Sequence, residues 1–452
     1  MRLFGTDGIR GVAGKYPLDP ATIGRIGAAA AQVLKAHSQR HIIIIGRDTR
    51  ESGSGITAAL AQAFSGEGVE VWDIGVIPTP GIAHLVKHFP VLAGVVVSAS
   101  HNPFLDNGIK FFGPQGTKLS DALEQEIEKN IHATENSAQR AAVKSGDVKQ
   151  QSDLLGHYTQ FLRSSFAQGV RQLQGMRLVI DCAHGATYRV APELFAALGA
   201  EVTALNVAPD GRNINKGAGS LHPETLAKEV MRTKSFCGLA FDGDGDRVIF
   251  VDEHGHVRDG DYILAIASWY LKNKGELVNN TLVTTVMANL GLFKAMEKLD
   301  INVLKTPVGD RYVYEEMMRS GAVIGGEQSG HIIFRNFLPT GDGMLSAVQM
   351  LAILGATGKP LTDLCTMMTK YPQILVNTKV ARRVPIESLP KTVEAIKAAE
   401  MKLKSDGRVL VRYSGTESLL RVMVEGPEKD AIAVMADEIV ATATREIEML
   451  PV

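Results

Sequence analysis

Cysteine is nearly absent from this chain: 452 residues contain three, Cys182, Cys237 and Cys365. They are odd in number, far apart and form no Cys-x-x-Cys pair, which argues against a disulfide framework and a thiolate zinc site; buried, inert thiols are expected. Long apolar runs are missing too. None approaches the ~18 residues that a membrane-spanning helix needs. The opening MRLFGTDGIRG is polar and glycine-bearing, without the apolar segment and cleavage site of a signal peptide, so a cytoplasmic location is expected. An excess of either charge is also lacking. With 48 Lys and Arg against 49 Asp and Glu, a nucleic-acid partner has little electrostatic support, and a small molecule is the expected partner.

What is present begins with length. A chain of this size exceeds one ordinary core of ~100–200 residues, so two to four domains are expected. Three β-branched runs, Ile42 to Ile45, Leu178 to Ile180 and Leu282 to Val286, each lead into a glycine-bearing turn. Helical patterns follow at Ile56 to Phe64, Ala191 to Leu198 and Leu292 to Leu299, and then second strands at Val69 to Ile74, Glu201 to Leu205 and Ile301 to Leu304. Three β-α-β units therefore recur, with parallel strands whose carboxyl ends gather ligand groups. The remainder differs: a strand at Ile374 to Val380, a helix near Val393 to Leu403, strands at Val409 to Tyr413 and Leu419 to Val424, and a helix from Lys429 onward. That order predicts an α+β unit. Ile432, Met435, Ile439 and Ala443 on its last helix have the spacing of a core face rather than of a partner-binding one. Polar or glycine- and proline-bearing joints suggest domains at 1–153, 154–254, 255–367 and 368–452.

The run FDGDGDR from Phe241 to Arg247 places Asp242, Asp244 and Asp246 at alternate positions with glycine between them. Hard divalent cations prefer oxygen ligands, and the glycines let the backbone fold until three carboxylates converge. An EF-hand is one rival, with Glu253 at position 12, but Arg247 stands where that loop needs glycine, and the flanks read as strands instead of helices; a solvated acidic turn without metal is the other. SASHNP, Ser98 to Pro103, offers Ser100 as a nucleophile on a tight polar turn. No G-x-S-x-G elbow accompanies it, so a hydrolase triad is not indicated. Capping the turn is the plain alternative for Ser100. A serine carrying phosphate would supply the anionic oxygen that a three-carboxylate metal site lacks.

Lys110 follows Asp106-Asn107-Gly108 and is either an acid/base group, if desolvated beside other cations, or an exposed lysine. The segment from Arg412 to Glu417, with Arg421 beyond it, combines guanidinium groups, hydroxyls and glycine in a pattern that suits a phosphate and equally a hairpin turn with solvated arginines. GGEQSGH, Gly325 to His331, reads as a sugar-hydroxyl reader or a polar turn. GRDTR, ending at Arg50, sits where a helix begins and is explained by ordinary N-capping.

The succession FGTDGIRG, SASHNP, DNGIK, DGDGDR, VGDRYV, GEQSGH and RYSGTES spans residues 4–418 and resembles the α-D-phosphohexomutase family. The opening octet, the glutamine of GEQSGH and the glycine of SGTE resemble those members that act on glucosamine phosphates, rather than on glucose or mannose phosphates. The resemblance implies three similar mixed α/β domains and a smaller α+β C-terminal domain around a central cleft. It implies that Ser100 is the phosphoserine and that one Mg²⁺ is held by Asp242, Asp244, Asp246 and a phosphate oxygen on Ser100. Arg10, His101, Lys110 and Arg247 would line the reacting phosphoryl group, with Lys110 the acid/base. Gly309, Glu327, Ser329 and His331 would meet the sugar; Arg412, Ser414, Gly415, Thr416 and Arg421 would grip the phosphate that is not reacting. The implied reaction interconverts glucosamine 6-phosphate and glucosamine 1-phosphate through a 1,6-bisphosphate, feeding UDP-N-acetylglucosamine synthesis. Glucosamine 1,6-bisphosphate or glucose 1,6-bisphosphate would be the activator, and a homodimer is the family-level expectation.

Overall fold

The computed structural model describes residues 3–5, 7–133, 146–166, 173–414 and 419–450. The first sheet contains β1 (Ile9–Val12), β2 (Ile42–Arg47), β3 (Glu70–Val76), β4 (Ala93–Val97), β5 (Asp106–Phe112) and β6 (Val148–Gln150), in the order β1-β5-β4-β2-β3-β6. Helices α1 (Pro20–Ala36), α2 (Glu51–Gly66), α3 (Thr79–His88) and α4 (Asp121–Ala133) accompany it. The unbroken apolar runs of β2 and β4 follow from cover on both faces, because alternate side chains of a strand point to opposite sides. Ile43, Ile45, Val95 and Val97 join Leu60 and Phe64 in one core cluster. Ile44 and Val96 face the other way, into a cluster with Ile82, Val86 and Phe112. Each such buried aliphatic contributes about 1.5–3 kcal/mol over its exposed state, so a one-residue slip of either strand would exchange both faces at once.

After α5 (Leu155–Ser165), the second sheet holds β7 (Arg177–Asp181), β8 (Glu201–Leu205), β9 (Cys237–Phe241), β10 (Val248–Val251) and β11 (Val257–Arg258), with α6 (Val190–Ala197) and α7 (Glu224–Thr233) in the connections; its order is β11-β10-β9-β7-β8. After α8 (Gly260–Asn273), the third contains β12 (Thr281–Thr285), β13 (Asn302–Thr306), β14 (Ile324–Gly326) and β15 (Ile332–Phe334), ordered β13-β12-β14-β15. The connections are α9 (Leu290–Lys298) and α10 (Asp310–Ser320); α11 (Gly343–Thr357) and α12 (Leu361–Cys365) follow. The expected parallel pairs are present in all three sheets, as β2 with β3, β7 with β8 and β12 with β13.

The described chain divides into two compact units: residues 1–287 with 300–366, and residues 288–299 with 367–452. In the second, β16 (Gln373–Lys379), β17 (Arg408–Tyr413) and β18 (Leu419–Glu425) form an antiparallel sheet ordered β16-β18-β17, accompanied by α13 (Pro390–Leu403) and α14 (Lys429–Met449). Ile432, Ile439 and Ala443 are buried in its core, with Met435 packed partly against them, as the spacing predicts. Helix α9 belongs to this unit. Asn289, its N-cap, accepts from Gly291 N and Tyr371 N at 2.9 Å each and donates to the buried Glu425 at 3.0 Å.

Candidate active site

Ser100 follows β4, which delivers the turn with all five of its residues buried. The serine is 1% exposed and left-handed, with φ +53°. Its Oγ donates to Asp242 Oδ2 at 2.6 Å. The turn-capping role falls to Ser98, whose Oγ accepts from Ser100 N at 3.0 Å, so the hydroxyl of Ser100 is turned toward the carboxylates instead.

Asp242, Asp244 and Asp246 occupy the turn between β9 and β10, and strands on both sides exclude the EF-hand. A Cβ on Gly243 would meet the Ser100 carbonyl oxygen at 2.6 Å, and Gly245 has φ +73°; glycine is what lets this turn close onto the serine loop. Each aspartate offers one oxygen, and the three lie within 4.8 Å of one another, all buried. Asp244 Oδ1 and Asp246 Oδ1 have no hydrogen-bond partner among the described residues. Burial, then Asp246 and Asp244, push the Asp242 carboxyl well above its ordinary range. Three crowded carboxylates, two of them with an oxygen that accepts no hydrogen bond among the described residues, fit a hard divalent cation that would supply the missing positive charge.

Lys110 lies on β5, opposite Val96 of β4, and is 1% exposed, which rules out the exposed-lysine alternative. Its Nζ is 3.0 Å from Asp244 Oδ2, 3.0 Å from Asp7 Oδ2 and 3.9 Å from Asp246 Oδ2. The neighbours closest to it are thus carboxylates, not the cations that a lowered pKa requires. Burial alone would lower the ammonium's pKa, but Asp244, Asp7 and Asp246 outweigh it and the net shift is upward. Asp244 moves the opposite way: burial raises it, and Lys110 and the Thr79 hydroxyl bring it below its ordinary value. His101 Nδ1 is 3.4 Å from Ser100 Oγ. Burial, Arg247 and Arg10 depress its pKa to about 4, leaving a neutral imidazole at pH 7. Arg247 donates its backbone N–H to Asp242 Oδ1 at 3.2 Å, and Arg10 on β1 pairs with Asp7.

The segment Glu327–His331 links β14 to β15. Gly309, at φ +136°, donates its N–H to Glu327 Oε1 at 3.1 Å, and the Ser329 hydroxyl is buried with no hydrogen-bond partner among the described residues. His331 stands between Asp246 Oδ2 (3.6 Å) and Asp310 Oδ2 (3.7 Å). Burial opposes its charge, but the acidic neighbours raise its pKa to about 9. Ser100, His101, Lys110, Arg10, the three aspartates, Arg247, Gly309, Glu327, Ser329 and His331 all belong to the first unit.

Arg412 and Arg421 belong to the second unit, as direct partners across β17 and β18. Arg421 Nη2 lies 3.4 Å from Ser414 Oγ. Burial and the Arg421 charge lower the pKa of Arg412, as expected where two cations are held side by side. Gly415 and Thr416 lie outside the described residues.

Several contributors carry no signal in the sequence reading. Asp7 and Asp310 share Lys118 at 2.6 and 2.7 Å. Thr79, the first residue of α3, donates Oγ1–H to Asp244 Oδ2 at 2.7 Å and its N–H to the Asp244 carbonyl at 2.9 Å. GRDTR corrects the N-capping expectation: Arg50 is the N-cap residue of α2 but its side chain makes no capping bond, and its guanidinium turns to the serine loop. Only FGTD, in the opening motif, hinted at Asp7, and nothing local to Thr79 points to a residue 165 positions away.

Four family models cover nearly the whole chain. They describe the phosphoglucomutase/phosphomannomutase α/β/α domains I, II and III, at residues 1–138, 156–255 and 259–371, and the C-terminal domain at 375–442. The chain belongs to the phosphoglucomutase/phosphomannomutase family, whose members are intramolecular phosphotransferases. Among its relatives, the phosphoglucosamine mutase of Syntrophotalea carbinolica is 50% identical over 448 residues, 99% of this chain and 98% of that one. That of Geobacter metallireducens is 47% identical over 447 residues, 99% of each. A crystal structure of a phosphoglucomutase/phosphomannomutase family protein from Burkholderia thailandensis matches with TM-score 0.81 at 23% identity, covering 100% of this chain and 98% of that one. The Aspergillus fumigatus N-acetylphosphoglucosamine mutase, in complex with GlcNAc-6P and magnesium, matches with TM-score 0.68 at 19% identity, covering 98% and 96%.

Proposed function

We propose that this chain is an isomerase that interconverts glucosamine 6-phosphate and glucosamine 1-phosphate through phosphorylated Ser100. The observation that carries the reading is the buried Ser100 Oγ set 2.6 Å from Asp242, in a carboxylate triad whose Asp244 and Asp246 each keep an oxygen that accepts no hydrogen bond among the described residues. Near-full-length identity to phosphoglucosamine mutases supports the choice of sugar. In the first half-reaction the Oγ–phosphorus bond breaks as O1 of glucosamine 6-phosphate bonds to phosphorus; Oγ gains a proton from an acid, and the proton that O1 loses replaces the one the acid gave. Lys110, kept as an ammonium by Asp244 and Asp7, supplies the proton-donating partner. Neutral His101 steadies Oγ by a hydrogen bond, and Arg10 and Arg247 stabilise the transferring charge. The 1,6-bisphosphate then turns over, its 6-phosphoryl group passes to Ser100, and glucosamine 1-phosphate leaves.

Asp242, Asp244, Asp246 and a phosphate oxygen on Ser100 would hold Mg²⁺, which neutralises charge on the phosphoryl group when bound. Glu327, Ser329 and His331, with Gly309 behind Glu327, orient the sugar. Arg412, Ser414, Gly415, Thr416 and Arg421 hold the spectator phosphate. Glucosamine or glucose 1,6-bisphosphate restores phosphoserine after hydrolysis, the product serves UDP-N-acetylglucosamine synthesis in the cytoplasm, and the chain works as a homodimer. The domain limits that accompany this reading are 153, 254 and 367.

Phosphorus NMR with Mg²⁺, glucosamine 6-phosphate and a trace of the 1,6-bisphosphate tests it, with Ser100→Ala alongside. Glucosamine 1-phosphate should appear with the parent alone. Conversion by Ser100→Ala would refute the nucleophile, and faster conversion of glucose or mannose 6-phosphate by the parent would refute the sugar.

A further inference from the structure

We propose that Arg50 and Asn215 are positioning residues for phosphoryl transfer, a double clamp that holds the Ser100 loop in the one backbone conformation that aims Oγ at the carboxylates. The inference rests on the reading of Ser100 as the phosphoryl carrier. A non-glycine residue at φ +53° is unfavourable by itself and persists only where its surroundings over-determine it. Here the surroundings do so from both sides of the residue.

Arg50 is buried and spends all five of its N–H donors on this task. Nε donates to Asp48 Oδ2 at 2.8 Å. Nη2 donates to the carbonyls of Ser100 and Asn102 at 2.9 Å each, and Nη1 to those of Pro103 and of Asp106, the latter at 3.0 Å. The other oxygen-bearing end of the same ion pair controls the serine's amide. Asp48 Oδ2 accepts from Ser98 Oγ at 2.6 Å, and Ser98 Oγ accepts from Ser100 N at 3.0 Å. One buried pair therefore grips Ser100 by its N–H and its C=O.

Asn215 reaches the same carbonyls from another segment. Its Nδ2 donates to Ser100 O at 2.9 Å and to Asn102 O at 3.1 Å. Its own φ of +60° is held by a 2.9 Å bond from its N–H to the Ala183 carbonyl. Because a reacting atom displaced by about 1 Å can cost ~100-fold in rate, loosening the clamp should slow transfer without changing how the sugar is bound.

Arg50→Lys keeps the charge beside Asp48 but has three donors on one nitrogen in place of the planar fork. Asn215→Gly keeps the left-handed backbone at no steric cost and removes only the amide. Both are compared with the parent for thermal midpoint, kcat and KM, and for single-turnover loss of phosphate from Ser100, followed by mass spectrometry after mixing with glucosamine, glucose or mannose 6-phosphate. The expected result is a kcat and single-turnover rate lower by ~10–100-fold for Arg50→Lys and by ~10-fold for Asn215→Gly, with KM within about twofold of the parent in each. Should Arg50→Lys not fold, Asn215→Gly decides. An active parent with parental rates in the folded variants, or with a rise in KM in place of the fall in rate, overturns the clamp alone. A parent that transfers its phosphoryl group to none of the three sugars overturns the functional reading, and the clamp's role with it.

Discussion

Replacing Thr79 by valine removes one hydroxyl from the neighbourhood of the carboxylate triad and leaves shape nearly unchanged. Thr79 is 2% exposed and Asp244 1%, so no solvent stands ready to replace the 2.7 Å bond between them. A hydrogen bond to a charged group contributes about 1.5–3 kcal/mol. Its loss raises the pKa of Asp244 and leaves Lys110, at 3.0 Å, to hold Oδ2, while the other oxygen, Oδ1, has no hydrogen-bond partner among the described residues. The backbone bond from Thr79 N to the Asp244 carbonyl persists, so the turn itself stays in place. The expected result is Mg²⁺ affinity weakened ~10–100-fold, the range found when an orienting partner of a metal ligand is removed. Calorimetric titration with Mg²⁺ and the Mg²⁺ dependence of turnover both read it, and Thr79→Ser should restore most of the affinity. An unaltered Mg²⁺ titration in a folded Thr79→Val protein would refute the assignment of Asp244 as an oriented ligand.

In Gly341→Ala the new Cβ would fall 2.4 Å from His331 Cδ2 and Nε2, so the ring must leave its place between Asp246 and Asp310; kcat should fall ~100-fold, and parental turnover would show that His331 is not needed there. Arg421→Ala should raise KM for the phosphosugar ~10–100-fold through loss of a charge-assisted hydrogen bond, with little change in the phosphate content of Ser100; an unchanged KM would place the phosphate clamp elsewhere. Stability should also fall in mild acid because of His84, whose pKa is depressed to about 3, first by burial and then by His88, His157 and Lys87. Below its unfolded pKa of ~6.5 the unfolded chain binds a proton that the folded one does not, so stability is lost as pH drops, by up to ~1.4 kcal/mol per unit. Between pH 6.5 and 5 the parent should lose up to ~2 kcal/mol more than His84→Leu, read from urea midpoints; equal losses would remove His84 from the account.

The repeating β-α-β order was legible because strand and helix each leave a short-range signature, a β-branched run or apolar residues at three- and four-residue spacing. The same holds for the triad, since Asp242, Asp244 and Asp246 are gathered by a turn that their own intervening glycines permit. GRDTR was misread for the complementary reason. Its position before α2 invites a capping role, while the partners that employ Arg50 lie 50–56 residues away.

The order of elements, the three parallel pairs and the short motifs that carry carboxylates, hydroxyls and guanidinium groups are written in the local pattern, because these follow from interactions within a turn or two of chain. Packing between distant segments sets Ser100 against Asp242 across 142 residues, buries Lys110 among carboxylates, and brings Thr79, Asp48, Arg50 and Asn215 into hydrogen bonds with Asp244 or the serine loop. A buried polar atom must find a partner wherever packing brings one, and that choice is made by how separate sheets and loops come together, not by the residues on either side of it.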